Sequence, residues 1–176
     1  MNTPDLQSIL KSQYHASLAM LREAIELCPD DTWYNSTQTN AYWQIAYHTL
    51  YFTDLYLGKN PEAYRGWSGH QANVENPDGI AGDPDSRSSL PLIPEPYTRD
   101  QTLEYCSIVD ARVDSSIDVM DLASPESGFS WYRISKLEHQ FVNIRHIQHG
   151  AAQLADRLRN ARNVGVRWVS ARRPST

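Results

Sequence analysis

Apolar residues recur three and four positions apart at Leu6, Ile9, Leu10, Tyr14, Leu18, Leu21, Ala24, Ile25 and Cys28. That is the spacing of a helix with one buried face, and it predicts a first helix over 5–27. Pro29 ends it, and the polar run 29–40 predicts a connector in which Thr39 or Asn40 caps the next helix. A second helix is expected over 41–57, stopped by Gly58. Through Tyr42, Trp43, Tyr47, Tyr51, Phe52 and Tyr56 it is apolar nearly all round, so it is expected to be the most buried helix. Thr98 to Gln101 carries the Ser/Thr-x-x-Glu/Gln pattern of a capping box. A third helix therefore starts near Arg99 and continues through Leu103, Cys106, Val109, Val113, Ile117 and Met120. Beyond a turn around Pro125, the run Ile134, Leu137, Phe141, Ile144, Ile147, Ala151, Leu154 and Leu158 predicts a fourth helix over 130–162. The tail, 164–176, adds at most a short extended piece around Trp168.

The stretch 59–97 breaks this pattern. It holds six of the ten prolines and four of the eight glycines, without sustained periodicity, and compact domains seldom carry so long an irregular connection without use for it. A 17-residue helix is about 25 Å long, and a connection of this length can return along it. The shorter linkers suit antiparallel neighbours. The fold class expected is thus all-α: a four-helix bundle in up-down-down-up order, with a long crossover between helices two and three. Trp67, Leu90, Leu92 and Ile93 are expected to pack the crossover along the bundle.

Composition narrows the functional classes. The 176 residues suit one domain, 1–176, and ten Tyr and five Trp supply large apolar bodies for its core. A formal net charge of −5 with no long basic run argues against nucleic acid or an anionic membrane as partner. Neither a leader pattern nor a membrane-spanning run occurs in the sequence, which places the protein in the cytoplasm as an expectation. Cys28 and Cys106 fall at apolar helix positions and read as reduced core residues. The many exposed-register aromatics of so small a bundle are expected to leave an apolar patch that favours a homodimer.

Six histidines carry the candidate chemistry. His48 shares an apolar stripe with Ala41, Ile45, Phe52 and Leu55, where an imidazole needs a partner. A hydrogen bond to a carbonyl or a Tyr hydroxyl would satisfy it, and so would a ligand. On helix four a polar stripe reads His139, Asn143, His146, Gly150, Gln153 and Arg157, beside the Ile144/Ile147/Leu154 face. Such a stripe lines a wet pocket between helices or forms a solvated flank. His149 turns toward Glu138, Arg145 and Asp156 and reads as a surface residue. His139 and His146 stand two turns apart, roughly 10 Å along the axis, too far to share one ion.

Helix two (YWQIAYHTLYFTDLYL) and helix four (FVNIRHIQHGAAQL) resemble the signature helices of the DinB-like superfamily of four-helix, metal-binding proteins. The matching elements are Trp43-x-x-x-x-His48, Asn143-x-x-His146, Ala152-Gln-Leu154 and the tail NVGVRWV, and together with the crossover they cover nearly the whole chain. The resemblance implies a divalent ion, nickel or zinc, held by a His of helix two and a His-x-x-x-His pair of helix four. Carried over, the ligands fall on His48 and His146, and the third falls on Gly150, which has no side chain. On the same resemblance, Gly150→His is expected to complete the site and tighten metal binding. Characterised members are thiol S-transferases and isomerases using low-molecular-weight thiols, in which the metal lowers the thiol pKa.

Other chemistries are absent from the sequence. There is no pair of Glu-x-x-His elements for a di-iron centre, no HExxH, no GxGxxG, no P-loop and no GxSxG. Ser8-Ile-Leu-Lys11 matches SxxK but lies inside helix one without partner motifs. Two readings stand at this point. One is an enzyme of metal-dependent thiol S-transferase or hydrolase type, working in a pocket between helices two and four. The other is a non-catalytic bundle that has lost the metal and binds a small molecule or partner.

Overall fold

A computed structural model describes residues 3–72, 74–76 and 95–172, and among them every regular element is helical. The elements are α1 (Thr3–Glu26), α2 (Asp30–Trp33), α3 (Tyr42–Leu57), a 3-10 turn (Pro61–Ala63), α4 (Arg99–Asp118) and α5 (Lys136–Arg162). They form a helical bundle in which α1 and α3 each pack against both α4 and α5. The periodic faces read from the sequence make the core: Leu10, Tyr14, Leu18, Leu21 and Ile25 of α1, Cys106, Val109, Val113 and Ile117 of α4, and Ile147, Leu154 and Leu158 of α5 are all buried. Most of α3 is buried as well. No helix among the described residues is long and apolar enough to cross a membrane.

The element ends follow their chemistry, with three corrections. The capping box of α4 forms as expected, with Thr98 Oγ1 accepting from Gln101 N–H at 3.2 Å and Gln101 Oε1 from Thr98 N–H at 2.8 Å. At α3 neither Thr39 nor Asn40 caps. Ala41 occupies the N-cap, and Gln44 Oε1 reaches back to its N–H at 2.7 Å, so a side chain inside the helix supplies the acceptor. The connector after Pro29 is not merely polar: Asp30–Trp33 forms one helical turn and Trp33 is fully buried, its indole donating to the Tyr97 carbonyl at 2.9 Å. Finally, α5 starts at Lys136 rather than near 130, because Ser135 Oγ caps Glu138 N–H at 3.2 Å and residues 119–135 run irregularly beneath it.

Part of the crossover is described. Trp67 is buried and stacks on Tyr105, with centroids 4.9 Å apart, whereas Leu90, Leu92 and Ile93 lie outside the described residues. The tail is irregular and lies along α1. Gln13 donates to the Ser170 carbonyl at 3.2 Å, Arg167 pairs with Glu23 at 2.8 Å, and Trp168 itself is exposed. Cys28 and Cys106 are free, buried thiols. Burial pushes each up to about 12, so both stay protonated and inert.

Candidate functional site

The two histidines singled out from the sequence meet across the α3–α5 seam. His48 on α3 and His146 on α5 have ring centroids 5.1 Å apart, with the planes tilted by 70°. Phe52, one turn beyond His48, lies against both rings at 4.8 and 6.0 Å. Imidazoles bound to one ion through metal–nitrogen bonds of about 2.1 Å have centroids roughly 4.6–5.3 Å apart, depending on the angle at the metal. The observed separation falls in that interval.

The His48 Nδ1–H donates to the Glu75 carbonyl at 2.6 Å. A carbonyl holding the far nitrogen is the common support of a metal-ligating histidine, and it is also one of the plain core arrangements weighed from the sequence. The Nδ1 of His146 is buried without a hydrogen-bond partner. Burial, then the positive charge His48 would carry, then that of His149, push it down to about 3. At neutral pH it is uncharged and one of its nitrogens presents a lone pair. His149 is exposed, as its helical phase implies.

The third position inherited from the resemblance is closed. A Cβ placed on Gly150 would stand 2.1 Å from Thr49 Oγ1 and 2.9 Å from Thr49 Cγ2. Thr49 is buried and its hydroxyl is engaged with the Ile45 carbonyl at 2.8 Å. Gly150 is therefore a point of close approach between α5 and α3, not a vacant ligand corner, and the expectation that a histidine fits there is corrected on steric grounds. Among the described residues no group of three or more His, Cys, Asp or Glu side chains is placed to hold one ion. His48 and His146 are the two imidazoles that the seam brings together.

The polar stripe around this pair is drier than its sequence suggests. Asn143 is fully buried, its amide donating to the Thr53 carbonyl at 3.2 Å while its Oδ1 has no partner. His139 is fully buried with both ring nitrogens unpartnered, boxed by Tyr56, Phe129 and Tyr132 at 4.7–4.9 Å. Burial first, then Lys136, lowers it to about 4. The far end of the stripe is wetter. Gln153 is exposed, and Arg157 bonds the Asn40 carbonyl at 2.7 Å.

Sequence reasoning passed over three contributors. Glu75 lies in the crossover, where no periodicity marks it, yet its carbonyl fixes His48 and its own Oε2 is buried without a partner. Thr49 decides the Gly150 contact, and nothing but its place beside His48 signals it. Asp54 is buried on α3, gripped by Arg112 at 2.7 and 2.8 Å and by the Tyr105 hydroxyl at 3.1 Å. A lone Asp in an apolar helix was the available signal. No family model, curated protein or solved structure matches this chain.

Proposed function

We propose that this chain is a DinB-like four-helix protein, up-down-down-up, that binds a divalent ion, nickel or zinc, between His48 and His146 and leaves the remaining coordination positions to water and a small-molecule ligand such as a thiol. Hydrogen bonds support the topology. Along α1 and α4 they join Gln7 with Ile117, His15 with Asp110 and Asp114, and Arg22 with Ser107, so numbers rise on one helix as they fall on the other. Tyr14 with Gln140 and Met20 with Gln148 rise together, whereas Thr53 with Asn143 and Asn40 with Arg157 run oppositely.

The observation that carries the site is the pair itself: two imidazoles from facing helices, one tethered by a backbone carbonyl and the other with a buried, unpartnered nitrogen, with ring centroids at the separation of two ligands on one ion. A bound ion would act as a Lewis acid and lower the pKa of a thiol or water beside it. Two protein ligands make an open, modest-affinity site suited to exchange, in keeping with thiol S-transfer or hydrolysis.

Calorimetric titration of zinc and of nickel into the full chain tests this. One ion per chain is expected, lost in both His48→Ala and His146→Ala and unaffected in His149→Ala. Absence of heat in the parent, or binding that survives both losses, refutes the metal site. The Thr49–Gly150 contact, which closes the third ligand position, favours a second reading, a bundle that holds no metal between these helices. On that reading zinc produces no heat.

A further inference from the structure

A second feature stands apart from the histidine pair, at the opposite end of the α5 stripe. Lys136, the first residue of α5, is only 6% exposed. Its ammonium donates to the Lys59 carbonyl at 3.1 Å and lies 5.3 Å over the Phe129 ring. Among the described residues no carboxylate pairs with it. An ammonium has three N–H donors, and buried lysines are ordinarily paired with an acid. The surroundings are built around this charge. Gly128 adopts φ +89°, and a Cβ there would stand 2.1 Å from the Lys59 carbonyl and 3.3 Å from Lys136 Nζ, so only glycine lets the loop close over the ammonium.

Lys136 lines a cavity of about 1100 Å³ where the ends of α3 and α4 meet the segment leading into α5. Leu57, Met120, Phe129, Tyr132 and Ile134 give it apolar walls, and neither His48 nor His146 contributes to it. The other charges on its walls, Lys59 and Arg133 against Glu62, Asp121 and Glu126, are all exposed. Water and salt screen them, whereas the buried ammonium keeps its field.

We propose that this cavity binds a small organic anion whose carboxylate pairs with Lys136 Nζ and whose apolar body lies against the Leu57, Met120 and Phe129 walls. The charge logic is simple: a buried cation short of donors' partners is stabilised by an anion that enters with it, and the cavity exceeds the space a drug-sized ligand fills. Burial lowers the Lys136 pKa in the free protein, and an ion pair acts in the opposite direction. The inference is independent of the metal reading.

The chain has three lysines, Lys11, Lys59 and Lys136, so their side-chain resonances are separable by NMR. Titration with 4-phenylbutyrate is expected to shift the Lys136 signals, to raise the Lys136 titration midpoint, and to leave Lys11, paired with Asp118, unmoved. By calorimetry Lys136→Met is expected to weaken binding at least about tenfold, while Lys136→Arg retains most of it. The NMR readout uses the unaltered protein and does not depend on a variant folding. An unmoved Lys136 at about 10 mM ligand, undiminished binding by Lys136→Met, equal binding of neutral 4-phenylbutanol, or inorganic phosphate binding in preference to the carboxylate each overturns the proposal.

Discussion

Adding one methyl group at Gly150 tests the central contact of the bundle. The new Cβ would meet Thr49 Oγ1 at 2.1 Å, Cγ2 at 2.9 Å and Cβ at 3.0 Å, where ordinary carbon contacts lie near 3.5–4.0 Å. Thr49 cannot swing aside cheaply, because it is β-branched, buried and hydrogen-bonded to the Ile45 carbonyl. Either α5 moves away from α3 by about an ångström or a side chain leaves its rotamer, and overpacking of this kind costs about 1–3 kcal/mol. Replacing a mid-helix glycine returns up to about 1 kcal/mol. Gly150→Ala is therefore expected to lose about 1–2 kcal/mol in urea denaturation followed by far-UV circular dichroism, a fall in Tm of about 2–8 °C for a chain of this size. In the Thr49→Ala background the same change should cost at least about 1 kcal/mol less, since the two nearest clashing atoms are gone. Gly150→His should be worse than Gly150→Ala and gain no metal affinity. A more stable Gly150→Ala, or a double-mutant cycle additive within about 0.3 kcal/mol, would refute the steric account of this position.

Three further outcomes follow from polar groups in or beside the core. Hydrogen bonds from His15 to Asp110 at 2.7 Å and Asp114 at 2.9 Å raise its pKa above the ordinary 6.5, Asp110 contributing most. This stabilisation is complete below 6.5 and is lost as pH rises through the raised value, so the Tm gap between parent and His15→Gln should shrink with increasing pH; a constant gap counts against it. For His139 the sign reverses. Its pKa is lowered to about 4 by burial and then Lys136, so its contribution is present above 6.5 and fades as pH falls toward 4. His139→Leu should flatten that acid limb and raise stability at pH 7 by up to about 1 kcal/mol by removing unpartnered nitrogens, and a loss there of more than about 1 kcal/mol contradicts the reading. Asp54→Ala strips Arg112 and Tyr105 of their shared acceptor and should cost about 2–3 kcal/mol, discounted from a fully buried pair because Arg112 is partly exposed. A cost under about 0.5 kcal/mol would place the network at the solvated surface.

Helix existence was legible in the sequence because it depends on local periodicity and short-range chemistry. The faces of α1, α4 and α5, the Thr98–Gln101 box and the unreactive cysteines all follow from residues within a few turns of one another. So does the candidacy of His48, since an imidazole in an apolar stripe needs an explanation wherever the helix packs. What the tertiary structure alone decided is which distant atoms meet. Trp33 is buried with its indole satisfied by the Tyr97 carbonyl, 64 residues away. The start of α5 at Lys136 depends on a Ser135 cap and on the loop that folds over the lysine. The Gly150 position carries the lesson furthest. Along the sequence it is a missing side chain one turn beyond His146, and a motif read in one dimension registers a lost ligand. In the folded chain the same atom-sized gap is filled by Thr49 from the facing helix. A sequence specifies what each residue lacks, but packing against a second helix specifies what occupies the space.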